Sequence, residues 1–405
     1  MPRIAATFLR WTYLRAVCHR GYVLASGLYF VVHDHLSASR LVLLGAVVSV
    51  TLALSDVPAG AWSDAFSRKW PLVIGHGFLA AGMAMTGVVT AFPLIVATQV
   101  LWGLGWAFSG GADVAWLSDE LGRPDRVARV LAARARRDLA GGATGLVVFG
   151  ALGWAAGLAA AIVVSGTAMA LLGAFVAARF AEDNFVPEPG RRRNASLLAF
   201  RRGLALARRD HEIRLVLAAT AITNGAGIVT WLFPRQLVGL GFPDDPVLWY
   251  AATGIGASVA GAAVLRLVEA RIDQAGAARR IYALACCAGV LGLITLACAP
   301  DALVGCAGVL LVSGVAFSVT RAVSVIWVNR RTASDVRATV HSFLSQAESA
   351  GEIAGGLALA GLARTASLPA TLLASAGLVA GLAVMVGRAR ADRQAGQAES
   401  RRGQP

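Results

Sequence analysis

Charge is scarce in this 405-residue chain: Asp, Glu, Lys and Arg make up 15% of it, while 57% is hydrophobic. Soluble domains carry about 25% charged residues and 45–50% apolar ones, so an ordinary soluble enzyme is excluded. Lysine is nearly missing, with Lys69 the single example among 37 basic residues. The five cysteines, Cys18, Cys286, Cys287, Cys298 and Cys306, show no metal-ligand spacing to histidine and read as small apolar side chains. No GxxxxGK[ST] loop occurs, so ATP coupling within this chain is not expected. A clustered nucleophile, base and metal set is also missing, so the reading is not an enzyme and takes no cofactor and no metal.

What is there is long apolar stretches. Glycine is plentiful (45) but scattered through them, as expected where helices pack closely within a bilayer. Since about 20 residues cross a membrane as a helix, runs near 16–32, 41–61, 71–91, 94–117, 139–158, 160–180, 214–235, 247–267, 281–299, 302–325, 339–362 and 368–387 predict twelve spans. The formal net charge of +14 points to an anionic inner leaflet and not to nucleic acid, because the positives fall between apolar runs. With the N-terminus inside, every basic residue lies on the inner side except Arg40, Arg235 and Arg364 at outer ends and Arg20 and Arg321 within spans. Both termini are then cytoplasmic, in a multi-pass protein of the cell inner membrane.

The organisation expected is an N-terminal six-helix bundle over 1–182, a cytoplasmic linker over 183–212, a C-terminal bundle over 213–388 and a basic tail over 389–405. In the linker, Ser196 to Arg209 sets Leu197, Leu198, Leu204 and Leu206 among Arg201, Arg202, Arg208 and Arg209, either an inner-leaflet amphipathic segment or a solvated connector. The halves also look related. At an offset of 211 residues Arg68 and Lys69 meet Arg279 and Arg280, Trp116 meets Trp327, Gly103 meets Gly314 and Asp34 meets Asp245. Six spans repeated in one orientation predict an all-α membrane protein of two pseudo-symmetric bundles with a cavity between them.

Between the second and third spans runs Gly60-Ala-Trp-Ser-Asp64-Ala-Phe-Ser-Arg68-Lys69-Trp70. This resembles the signature cytoplasmic loop of the major facilitator superfamily: a glycine, an acid four residues on, then a basic pair. The resemblance implies an inner gate in which Gly60 permits close helix approach and Arg68 pairs with a carboxylate at the inner end of the fourth helix, here Asp119 or Glu120. Ser67 stands where glycine commonly precedes the basic pair. The second-half copy keeps Arg279 and Arg280 but has Arg271 and Ala275 in place of Gly60 and Asp64. The segments DVPAGAWSDAFSRKW, GADVAWLSDEL and RATVHSFLSQAESAGEIAGG are similar to bacterial drug-efflux members, the drug:proton antiporters. The chain departs from that branch at Gln99, four residues before Gly103, where proton-coupled members often carry arginine. It departs again in the fifth span, where Gly141, Gly142, Gly145, Gly150 and Gly153 occur without proline.

An ionisable group within a span is a functional candidate, because it is costly unless paired or hydrated. The resemblance implies that the first, fourth, seventh and tenth helices line the cavity. Asp113 is the candidate cavity carboxylate for a substrate cation or a proton, held near Arg20 or Arg321; a static interhelical salt bridge is the alternative. Asp56 shares a helix face with Gly60 and Asp64, in a structural, gating or proton role. Glu348 and Glu352 share a face of the eleventh span with His341 and Ser345, and two neighbouring carboxylates are one way to build a proton site. Trp102 and Trp106 either stack on an aromatic or cationic substrate or pack the core. Trp11, Trp70 and Trp249 are expected near membrane interfaces, and His33-Asp34-His35 in an exposed outer loop.

These readings combine into a secondary active transporter working by alternating access, exporting small amphipathic or drug-like compounds in exchange for protons. The alternative is a symporter or facilitator importing a metabolite or lipid-like solute. Its partners would be a small-molecule substrate, protons and the lipid bilayer, with no nucleic acid and no obligate protein partner.

Overall fold

The computed structural model describes residues 3–186, 201, 204–205, 208–269, 271–272, 276–332 and 337–402. The expected amphipathic segment Ser196 to Arg209 falls largely outside these. Among the described residues the fold is all-helical, without strands. Two compact units form, one of Met1–Asn194 with Phe242–Ile255, the other of Ala195–Gly241 with Gly256–Pro405.

The first unit contains α1 (Arg3–Val32), α2 (Ala38–Phe66), α3 (Lys69–Thr86), α4 (Phe92–Ser109), α5 (Ala112–Leu121), α6 (Pro124–Ala156) and α7 (Leu158–Arg179). The α4–α5 break falls at Gly110 and Gly111, where Gly111 has φ +76°, a conformation that a side chain would strain. Pro124 opens α6 at a position where its missing N–H costs nothing. Helix α6 therefore starts well before the apolar run at 139, and the basic stretch read as a loop is its first four turns. At 33 residues it is about 50 Å long, more than a hydrocarbon core requires. Helix α1 likewise begins at Arg3, before the apolar run at 16.

Continuing along the chain, α8 (His211–Gly227) runs through a 3-10 turn at Ile228–Leu232 into α9 (Phe233–Leu240), followed by α10 (Pro246–Glu269) and α11 (Ala277–Ala297). Helix α12 (Ala302–Val309) passes through a π-helical stretch, Leu310–Phe317, into α13 (Ser318–Arg331), and α14 (Arg337–Thr365) and α15 (Leu368–Arg402) complete the chain. Short polar side chains start several of these: Asp210 Oδ1 accepts from Glu212 N at 2.7 Å, and Asp301 Oδ1 from Val304 N at 2.9 Å.

Nine helical rods among the described residues are long and apolar enough to cross a membrane. Helices α1, α3 and α14 also have the length but carry polar groups along it: Arg10, Arg15 and Arg20 in α1, His76 in α3, Glu348 and Glu352 in α14. Neighbour relations repeat between the units. Helix α1 packs on α6 and α7, and α3 on α4 and α7; correspondingly α8 packs on α14 and α15, and α11 on α12 and α15.

Small residues set these crossings. A Cβ on Gly105 would lie 2.8 Å from the Gly75 carbonyl, and one on Gly75 2.9 Å from that of Gly105, which fixes α3 against α4. Gly292 and Gly308 do the same for α11 and α12, at 2.8 and 2.7 Å. Gly141 and Gly145 of α6 face the Tyr13 and Val17 carbonyls of α1, which accounts for two of the fifth-span glycines. Gly60 is different: a Cβ there would meet nothing within 4 Å, so close helix approach is not its role in this conformation. Gly105→Val should therefore destabilise the protein by roughly 1–3 kcal/mol through overpacking, while Gly60→Ala leaves thermal unfolding in detergent unchanged. Equal melting of Gly105→Val and the parent would refute this account of the α3–α4 crossing.

Candidate functional site

The signature loop is built around one arginine. Arg68 Nε donates to Asp119 Oδ2 at 3.3 Å, and its Nη1 pairs with Asp64, one turn earlier. Of the two carboxylates expected, Asp119 is thus the partner. Glu120 turns away and accepts from Asn184 N at 3.0 Å. Sequence reasoning missed a third carboxylate, Glu182. It accepts from Ser67 Oγ at 2.7 Å, from Lys69 N at 3.2 Å and from the Arg68 backbone N–H. Ser67 Oγ in turn accepts from Trp70 N at 3.0 Å, capping α3. The serine that departs from the family pattern is therefore occupied: it joins the α3 N-terminus to the chain leaving α7.

The second unit has a counterpart. Buried Glu212, at the start of α8, takes both Arg279 Nε at 3.2 Å and Arg279 Nη2, and Trp327 Nε1 donates to it at 3.0 Å. Arg331 lies 4.0 Å away. Trp116, matched to Trp327 by the repeat, donates instead to the Ala181 carbonyl at 2.6 Å. Both repeat-matched arginines, Arg68 and Arg279, hold carboxylates, although the acid of the first loop has no copy in the second.

Asp113 sits in the first turn of α5, its side chain 4% exposed. Its partners differ from those expected. Arg134 of α6 lies at 2.7 Å and Arg15 of α1 at 3.8 Å, and Asp113 Oδ1 accepts its neighbour's backbone N–H (Val114) at 2.8 Å. Arg20 is not part of the pair. It is exposed beside Gly142, with no ion pair or hydrogen bond among the described residues. Arg134 was overlooked because its stretch read as an inner loop, whereas the long α6 carries it inward. Arg321 belongs to the second unit, where it and Glu352 are the charges acting on half-buried Glu348. His341 is engaged by Asn329 Oδ1 at 2.8 Å. Asp56 is exposed, without a hydrogen bond or ion pair among the described residues.

Gln99 is 1% exposed and lies in a polar network: its Nε2 donates to Tyr22 Oη at 3.1 Å, Tyr22 Oη meets Thr86 Oγ1 at 3.1 Å, and Thr86 donates to Thr98 at 3.0 Å. Trp102 and Trp106 follow Gln99 on the same face of α4. Trp102 stacks on His19 with centroids 5.7 Å apart, and Trp106 meets His19 edge-on at 4.8 Å. Trp11, expected at an interface, is fully buried and donates to His76 Nε2 at 3.1 Å.

In the turn after α1, His33 Nδ1 lies 3.1 Å from Asp34 Oδ1, and the His33 ring stacks on Tyr29 at 4.4 Å. Burial pushes the Asp34 carboxyl above its ordinary range, with His33 and His35 acting in the opposite sense. Among the described residues no group of three or more His, Cys, Asp or Glu could hold a metal ion.

The sequence profile of the Major Facilitator Superfamily matches residues 20–356. No curated protein sequence matches the chain. Solved structures share its fold at low identity. The nucleoside transporter NupG, in a substituted form, superposes with a TM-score of 0.78 at 14% identity, covering 95% of this chain and 99% of that one. The POT family transporter PepTSo gives 0.73 at 13%, covering 97% and 99%. The human organic anion transporter MFSD10 gives 0.61 at 18%, covering 95% and 100%. At such identities the likeness carries the fold alone, but the profile spans most of the chain: this multi-pass membrane protein belongs to the Major Facilitator Superfamily, a family of small-molecule transporters.

Proposed function

We propose that the protein is a secondary active transporter that works by alternating access and exports small amphipathic solutes in exchange for protons. Twelve spans in two six-helix bundles (1–182 and 213–388), with the 183–212 linker and both termini in the cytoplasm, would serve that cycle in the cell inner membrane. The observation carrying this reading is the Arg68 cluster, in which Asp64, Asp119 and Glu182 gather on one guanidinium and its backbone. An inner lock built of ion pairs is reversible, since each pair exchanges for water at modest cost near a surface. The resemblance of the DVPAGAWSDAFSRKW segment to drug-efflux members supports the outward direction.

For the proton we favour Glu348. Asp113 already faces two guanidinium groups, a pairing suited to holding α1, α5 and α6 together. Glu348 shares its helix face with a second carboxylate, Glu352, and has Arg321 nearby, so a proton arriving there alters a balance of charges. The substrate would then bind elsewhere, and Asp113 would serve the scaffold.

Everted vesicles carrying a luminal pH dye test this reading. After acidification of the lumen, an exported solute should trigger alkalinisation in parent vesicles, and Glu348→Gln should abolish that signal while keeping the protein folded. Saturable uptake of one solute by intact cells, with no proton movement in the vesicles, would overturn export and leave an importing facilitator. Separately, Glu182→Gln should weaken the lock. We expect a loss of roughly 1–3 kcal/mol of thermal stability from the Ser67 and Arg68 groups left unpartnered. A melting curve identical to the parent's would remove Glu182 from the lock.

A further inference from the structure

Helices α1 and α4 are not tightly packed neighbours; α1 lies against α6 and α7, and α4 against α2 and α3. Large side chains span the interval between them as a ladder. Tyr22 and Gln99 form one rung by hydrogen bond, His19 with Trp102 and Trp106 the middle, and Arg15 over Trp106 at 5.3 Å the last. Both ends of the ladder are satisfied. Tyr22 and Gln99 join the threonine network, and Arg15 adjoins Asp113.

The middle rung is not satisfied. His19 Nδ1, Trp102 Nε1 and Trp106 Nε1 are all buried without a hydrogen-bond partner, three of the five such side-chain atoms among the described residues. Their rings lie within 6.3 Å of one another. Buried polar groups are ordinarily paired, so three orphans in one cluster mark a place where a partner is missing. Indole N–H groups only donate, so that partner must bring acceptors. The tryptophan and histidine faces favour a flat ring. The charges acting on His19 are Arg15 and Arg20, and Arg20 has no countercharge among the described residues. A cation is poorly served here, because Asp113, the carboxylate that Arg15 adjoins, is already engaged by Arg134 and Arg15.

We propose that His19, Trp102 and Trp106, with the Arg20 charge next to His19 in α1, form a binding subsite for a planar aromatic anion whose acceptor atoms take the two indole N–H groups. This rests on the transporter reading and names its substrate class. It also reverses the expectation of a cationic solute.

Binding and flux are measured separately on the full chain. In nanodiscs, calorimetric titration with 2-naphthoate, 2-naphthylmethanol and 2-naphthylmethylammonium should rank the anion tightest. Trp102→Phe and Trp106→Phe keep a ring and remove the N–H, so each should weaken 2-naphthoate by about tenfold. Arg20→Gln, at an exposed position, should reduce the preference for the anion over the alcohol. Ammonium binding as tight as naphthoate, or unchanged affinity in both Trp→Phe proteins at parental melting temperature, overturns the subsite. Such a result would leave transport standing if vesicles still move other solutes. Naphthoate binding with the expected variant pattern upholds the subsite, even where vesicles show no saturable flux of any solute and the transporter reading fails.

Discussion

A guanidinium or carboxylate among apolar helices is tolerated when a countercharge faces it, and much of this structure follows from how such pairs are made. Arginine is abundant and acid scarce, and two of the buried carboxylates gather more than one cation. Asp113 holds Arg134 and Arg15, and Glu212 holds Arg279 with Arg331 near by. At the signature loop the proportion reverses, with three carboxylates around Arg68 and its neighbours. What pairing leaves over is informative. Arg20, exposed beside Gly142 of α6, has no countercharge among the described residues, and its chain neighbour His19 joins Trp102 and Trp106 in a cluster of ring nitrogens that also lack partners.

Within each unit the helices are brought together by absent side chains as much as by present ones. Gly75 with Gly105, and Gly292 with Gly308, let backbones approach until each would clash with a Cβ on the other. Such crossings hold the helices of a unit at fixed separations. The ion pairs complement them at helix ends. Glu182 and Glu212 stand at the two ends of the connector between the halves, and each ties its end to an arginine-bearing loop of its own unit.

Much of this was legible in the chain. The apolar runs, the Gly60–Trp70 loop and the 211-residue offset identified an all-helical membrane protein of this family, because hydropathy and loop motifs are local properties. That Arg68 pairs with an acid at the end of the fourth span, Asp119 or Glu120, was legible from the motif; the choice of Asp119 was not. Its third carboxylate was not, since Glu182 lies more than a hundred residues away and belongs to no motif. The boundaries of α1 and α6 were misjudged for one physical reason: an amphipathic or basic stretch can continue a helix beyond its apolar part, and composition marks only the apolar part.

The same error hid the partner of Asp113. Four turns of basic helix read as a loop, so Arg134 was never placed near the membrane-spanning segments, and Arg20 or Arg321 was expected in its stead. The sequence by itself determined which residues are apolar, how long the helices can be and which loop carries the family pattern, since these depend on neighbours in the chain. Only the tertiary structure decided which charges meet, which glycines are crossings and which nitrogens are left without partners. Those depend on the separation and rotation of helices far apart in sequence, and periodicity alone does not encode that geometry.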